Sequence, residues 1–194
     1  MTASPQIRLP TCLQGRLVAL HAAGPEHAVE LFDVVDGDRQ RLTKASHWVV
    51  DVHDVAGQRA RLQQGQQRRQ QAAAFGYLIV ERVPVGSGRL VGGAGVSGVV
   101  ADHRRCEIGY WIAGSHEGRG LVSDAVRTLS RACFEAGIHR IELRCAAENE
   151  RSAAVAHRCG YTLEGRLRNV RRIDSGWADD LLFARLSTDR EPSA

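Results

Sequence analysis

The sequence predicts a mixed α/β chain of the α+β kind, and three observations predict it. Short apolar, β-branched runs alternate with segments of helical spacing. Phe75–Arg82 and Arg89–Val96 flank the turn-prone Pro84–Gly88, which makes an antiparallel hairpin. Two strand–helix–strand crossings then follow within a mostly antiparallel sheet. A chain of 194 residues suits one domain over 1–194, with a core from about 16 to 186 and a polar tail over 187–194.

Each element has its own signal. Arg16–Leu20 reads as a first strand, closed by Gly24-Pro25. Glu26–Val35 places Ala28, Leu31, Phe32 and Val35 on one helical face. Asp54–Ala73, rich in Gln, Arg and Ala, reads as an exposed helix despite Gly57 and Gly65, and its QQGQQRRQQ stretch as a solvated face. After the hairpin, Glu107–Ile112 continues the sheet. Ser123–Ala136 is a helix ending at Gly137, a natural position for a left-handed cap. His139–Cys145 alternates as a half-buried strand, and Asn149–Cys159 is a short helix stopped at Gly160. Tyr161–Leu167 and Ala178–Leu186 are the last strands, and Ser187–Ala194 is expected to fray.

Composition narrows the class. Hydrophobic content of 43% and charged content of 25% are globular values. No apolar run approaches the roughly 20 residues a membrane helix needs, and Met1–Pro10 lacks a signal-peptide core. The expectation is a soluble, cytoplasmic protein without a membrane partner. A net charge of +4 is too mild to argue for specific nucleic-acid binding. Cys12, Cys106, Cys133, Cys145 and Cys159 are odd in number and widely spaced, so no disulfide framework is expected. No metal is expected either.

The most informative stretch is Glu107–Ala125, EIGYWIAGSHEGRGLVSDA. An apolar strand runs through a polar turn and Gly118-Arg119-Gly120 into a helix. Free backbone N–H groups and the positive helix end converge there, which makes an anion site. A Walker A loop needs a lysine, and Lys44 is the only one in the chain. A dinucleotide fingerprint needs a third glycine where Ser123 stands. What remains is a pyrophosphate held by loop amides.

These residues resemble motif A of the GCN5-related N-acetyltransferases (GNAT), whose Q/R-x-x-G-x-G/A loop binds the pyrophosphate of acetyl-CoA. The corresponding positions run Glu117-Gly118-Arg119-Gly120-Leu121-Val122, with Glu117 and Val122 departing from the pattern. A carboxylate at Glu117 would repel a pyrophosphate, which leaves binding to the amides of Gly118 to Val122. Glu107–Trp111 (EIGYW), Asn149–Ser152 (NERS) and Gly160–Gly165 (GYTLEG) extend the resemblance to the Rim branch, which acetylates the N-termini of ribosomal proteins.

The resemblance implies a sheet splayed between the fourth and fifth strands, Glu107–Ile112 and Arg140–Cys145, with pantetheine in the gap. It implies backbone contacts from Trp111 and Ile112, a pantetheine contact from Asn149, and Ser152 as proton donor to the thiolate. Many relatives carry a tyrosine one turn later, where this chain has Ala156. Helix capping alone would also explain Asn149. Glu107 is the candidate general base, although a solvated strand carboxylate is the plainer reading. The acid expected after Gly165 is replaced by an arginine cluster, and Asp174 is a substitute.

Arg166, Arg168, Arg171 and Arg172 suit either a solvated hairpin or an acidic ligand, whether an acidic acceptor or a dicarboxylic acyl group such as succinyl. The acceptor would be a primary amine, on a protein N-terminus or a small molecule. A non-catalytic acyl-CoA sensor is the competing class. Trp48–Val52 would close the acceptor pocket or join a homodimer face.

Overall fold

The computed structural model describes residues 7–45, 47–83, 86, 88–173 and 176–190. They form one eight-stranded sheet, ordered β1-β2-β3-β4-β5-β6-β8-β7, from β1 Cys12–Gln14, β2 Val18–Ala22, β3 Phe75–Glu81, β4 Arg89–Val100, β5 Arg105–Ile112, β6 Arg140–Ala146, β7 Thr162–Ile173 and β8 Gly176–Leu186. Five helices flank it: α1 Ala28–Asp36, α2 Arg39–Ala45, α3 Val55–Gln70, α4 Leu121–Glu135 and α5 Glu150–Arg158. The α+β expectation is met. The hairpin joining β3 and β4 pairs Phe75 with Val96 through Glu81 with Arg89, although Pro84, Val85 and Ser87 of its turn lie outside the described residues.

The helices divide between the two faces. Leu121, Ala125, Val126, Leu129, Ala132 and Cys133 of α4 recur at helical spacing and pack with Val155 and Ala156 of α5 over Cys106, Ile108, Ile141 and Leu143. Ala28, Leu31 and Val35 of α1, Leu42 of α2 and Leu62 of α3 pack on the opposite face against Leu78 and Leu90. Strand alternation sends neighbouring residues to these two cores. Tyr110 therefore faces the α4–α5 layer, and Trp111 the α1–α3 layer.

Two elements lie beyond the sequence expectation. β1 has only three residues and pairs with β2 from Cys12–His21 to Gln14–Ala19. α2 is seven residues of mostly polar chain. Its tertiary contacts hold it: Leu42 is buried, and Arg39 Nη1 donates to the carbonyls of Val49 and Val52 at 3.0 and 2.8 Å. The α3 expectation is corrected in one respect. Gln58 and Leu62 are buried and the Arg61 guanidinium lies 3.8 Å over the Trp48 ring, so one stripe of the helix is packed, while the QQGQQRRQQ stretch is mostly exposed as expected.

The parallel pair β5–β6 gives the sheet its gap. Pairing runs from Arg105–Arg140 to Glu107–Glu142 and stops there. β6 continues against β8 as far as Ala146–Asp180, and β5 against β4 as far as Ile112–Gly92. The two strands part like a V above Glu107. This is the expected splay, now between the fifth and sixth strands because β1 adds one at the front.

Candidate active site

The loop after β5 leads into α4 as the glycine pattern requires. A short 3-10 turn, Gly114–His116, is followed by Gly118 and Gly120, with φ of 73° and 77°. That left-handed conformation costs a non-glycine residue free energy. Gly120 occupies the N-cap of α4, and no side chain caps the helix. The first-turn amides are turned to the loop, which fits an anionic group. Asp124 does not compete for them: its Oδ2 accepts from Leu17 N at 2.7 Å and Val18 N at 3.1 Å.

Glu117 is not an isolated negative charge. Arg41 Nη1 of α2 donates to its Oε1 at 2.8 Å, and Arg151 Nη1 of α5 bonds its Oε2. Arg41 also grips Asp38 and the Ile112 carbonyl, and Asp38 Oδ2 accepts from Gly114 N at 2.7 Å. The Arg41 bond holds Asp38 below the usual carboxylate range. Arg119, within the loop, is paired with Glu81 of β3.

The edge of β5 facing the gap differs from the expected one. Ala113 N donates to Val91 O at 2.8 Å, so alternation turns the backbone groups of Trp111 towards β4 and those of Tyr110 and Ile112 towards the gap. A Cβ at Gly92 would strike the Trp111 carbonyl oxygen. The Trp111 backbone is thus spent on the sheet, and Tyr110 replaces it at the open edge.

On the α4–α5 side of the gap, Ser152 and Tyr110 meet. Their hydroxyl oxygens are 2.6 Å apart. Burial pushes the Tyr110 phenol up to about 12, so it keeps its proton at neutral pH. Asn149 caps α5, its Oδ1 accepting from Ser152 N at 3.0 Å. The capping reading is therefore realised, and the amide Nδ2 is left for a second role. Cys145 lies beside Ser152, its thiol raised by burial and partly offset by a hydrogen bond from that serine. Ala156 is fully buried.

Glu107 lies on the opposite face, at the last β5–β6 pair below the opening. Burial raises its carboxyl and Arg144 opposes the rise, with Nε 3.6 Å from Oε2. Glu107 also feels Glu142 and Asp180 as like charges. A cavity here is lined by Gly98, Arg105, Cys106, Glu107, Glu142 and Arg144. On the same face the Trp111 ring packs 6.0 Å from Trp48 at 57°.

The arginine cluster is less free than its sequence suggests. Arg166 pairs with Asp179 at 2.6 Å, and Arg171 with Asp180 at 3.1 Å and Glu148 at 3.6 Å. The compensating carboxylates come from β8 across the hairpin and from the segment after β6. Asp174 lies outside the described residues. Arg168 and Arg172 are exposed.

Sequence reasoning missed Tyr110, Arg41, Arg151 as a Glu117 partner, and Asp180. Alternation along β5 was a usable signal for Tyr110. Arg41 and Asp180 reach the site only through tertiary contacts.

Comparison with known proteins agrees with this geometry. The acetyltransferase (GNAT) domain family matches residues 17–162. A ribosomal-protein-serine acetyltransferase of Escherichia coli (strain K12) is 26% identical over 168 residues, covering 86% of this chain and 91% of its own length. The solved structure of RimL, a ribosomal L7/L12 α-N-protein acetyltransferase in complex with coenzyme A, superposes with a TM-score of 0.82 at 24% identity, covering 92% of this chain and 97% of that one. MccE, a microcin C7 self-immunity acetyltransferase solved with acetyl-CoA and AMP, gives a TM-score of 0.81 at 22% identity over 88% of this chain and 93% of its own. The splayed sheet, the glycine loop at the head of α4 and the family match over 17–162 together make this chain a member of the GNAT family of N-acetyltransferases.

Proposed function

We propose that the protein moves the acetyl group of acetyl-CoA onto the α-amine of a protein N-terminus, by direct attack in a ternary complex. The observation that carries this reading is the gap between β5 and β6 beyond their last pair, Glu107–Glu142. A hydroxyl pair, Ser152–Tyr110, stands on one face and a carboxylate, Glu107, on the other. The amides of Gly118 to Val122 would hold the pyrophosphate. The Ile112 and Tyr110 backbone and Asn149 Nδ2 would position the pantetheine arm.

The chemistry then divides by face. The amine must lose a proton to attack the thioester carbonyl, and Glu107, with its raised pKa, accepts it directly or through water. An α-amine, with a reference pKa of about 7.7–8.0, sheds that proton more readily than lysine. The new C–N bond forms as the C–S bond breaks. The departing thiolate takes the Ser152 hydroxyl proton, and Tyr110 donates to Ser152 Oγ in turn. The similarity to the Escherichia coli ribosomal-protein-serine acetyltransferase supports a ribosomal-protein acceptor, for which a cytoplasmic location follows.

Arg168 and Arg172 favour an acidic acceptor. Arg166 and Arg171 are already paired, so a dicarboxylic acyl donor has less to recommend it. Trp48 is packed on Trp111 and Arg61 within the chain, and we assign Trp48–Val52 to the acceptor side rather than to a dimer face.

The test is mass spectrometry of peptides incubated with acetyl-CoA and the protein. Peptides with a free α-amine and an acidic N-terminal sequence should be acetylated there. Transfer confined to lysine side chains, or equally to α-blocked peptides, would overturn the reading.

A further inference from the structure

The ion pair between Glu117 and Arg151 bridges the mouth of the gap. Glu117 belongs to the loop at the end of β5, and Arg151 to the first turn of α5, beyond the end of β6. We propose that this pair is a displaceable latch: on binding of acyl-CoA, Arg151 exchanges the Glu117 carboxylate for the diphosphate. The proposal rests on the acyl-CoA reading above and assigns a side-chain cation from outside the loop, whose own Arg119 is paired with Glu81.

The two arginines on Glu117 differ in how firmly they are held. The Arg41 side chain is 39% exposed and makes further bonds to Asp38 and the Ile112 carbonyl. Its pKa is raised, chiefly by the Asp38 bond. Arg41 therefore stays in place and masks the Glu117 charge whether or not ligand is bound. The Arg151 side chain is 82% exposed, and among the described residues its ion-pair partner is Glu117. An exposed pair of this kind contributes little to stability, so it is easily exchanged. A diphosphate carries more negative charge than a carboxylate and accepts a guanidinium bidentately.

The exchange makes opposite predictions for the two partners. Isothermal titration of the full chain with CoA and with S-acetylpantetheine, which lacks the diphosphate, reads them out. Arg151→Ala should weaken CoA by about tenfold, the loss of one charge-assisted contact, and leave S-acetylpantetheine unchanged. Glu117→Gln removes the competitor while Arg41 keeps its other anchors, and should tighten CoA by about two- to fivefold.

Weaker CoA binding by Glu117→Gln would overturn the latch, because Glu117 would then be holding Arg151 ready rather than occupied. Equal losses on both compounds for Arg151→Ala would overturn it as well. If the unmodified protein binds no CoA, the acyl-CoA reading itself falls.

Discussion

At the scale of single residues, the proposed acid side of the reaction rests on a pair of hydroxyls. Beside the buried Ala156, Tyr110 brings a phenol from the strand beneath to the Ser152 hydroxyl. Its protonated state at neutral pH lets Tyr110 donate to Ser152, which in the proposed mechanism leaves the serine proton for the sulfur. Ser152→Ala should lower kcat by about a hundredfold, the lower end of general-acid contributions, while CoA affinity measured by titration stays within about twofold. On the other face, Glu107 is raised by burial and lowered by Arg144. Removing that cation in Arg144→Ala raises the Glu107 pKa further, so the carboxylate ionises at higher pH. The acid limb of the kcat/KM profile should move to higher pH in this variant. An unmoved limb would remove Glu107 from the role of base. Ser152 and Glu107 were legible because each sits in a short motif. Tyr110 was hidden inside one of those motifs, where it reads as an ordinary strand residue.

Among the elements, legibility followed length and apolar period. α1, α4 and α5 announce themselves by recurring buried positions and by the turn glycines behind two of them, Gly137 and Gly160, both at positive φ. β1 and α2 are too short and too polar for either signal, and form because tertiary bonds hold them. α2 matters because it delivers Asp38's neighbour Arg41 to the loop, so half of the charge around Glu117 was unreadable from local pattern. Asp124 ties elements together in a comparable way. Nearly buried in the first turn of α4, it accepts two backbone N–H groups at the start of β2. Asp124→Ala should destabilise the fold by about 3 kcal/mol, since both donors are left without their partner. Urea denaturation measures this; a loss below about 1 kcal/mol would show that water replaces the carboxylate.

For the whole molecule, β5–β6 joins two parts of the sheet by three residue pairs, whereas β4–β5 and β6–β8 are paired over most of their lengths. No strand among the described residues fills the gap above Glu107–Glu142. Acetyl-CoA at a hundred times its Kd should add about 2.7 kcal/mol of stability, with the largest slowing of amide exchange at Tyr110 and Ile112. Protection confined to the α4 loop would mean that the gap is not the pantetheine channel. The splay could be anticipated only through resemblance, because no local property of Ile108–Ile112 says where its partner strand ends. A gap flanked by different elements on its two faces also has an evolutionary consequence. In the proposed reading, donor and acceptor are read by different elements, α4 and α5 on one side and the Trp48–Trp111 region with the β7–β8 hairpin on the other. Mutations that retarget the protein to a new amine can therefore accumulate without touching the nucleotide side, and a lineage can diversify its acceptors while inheriting one donor.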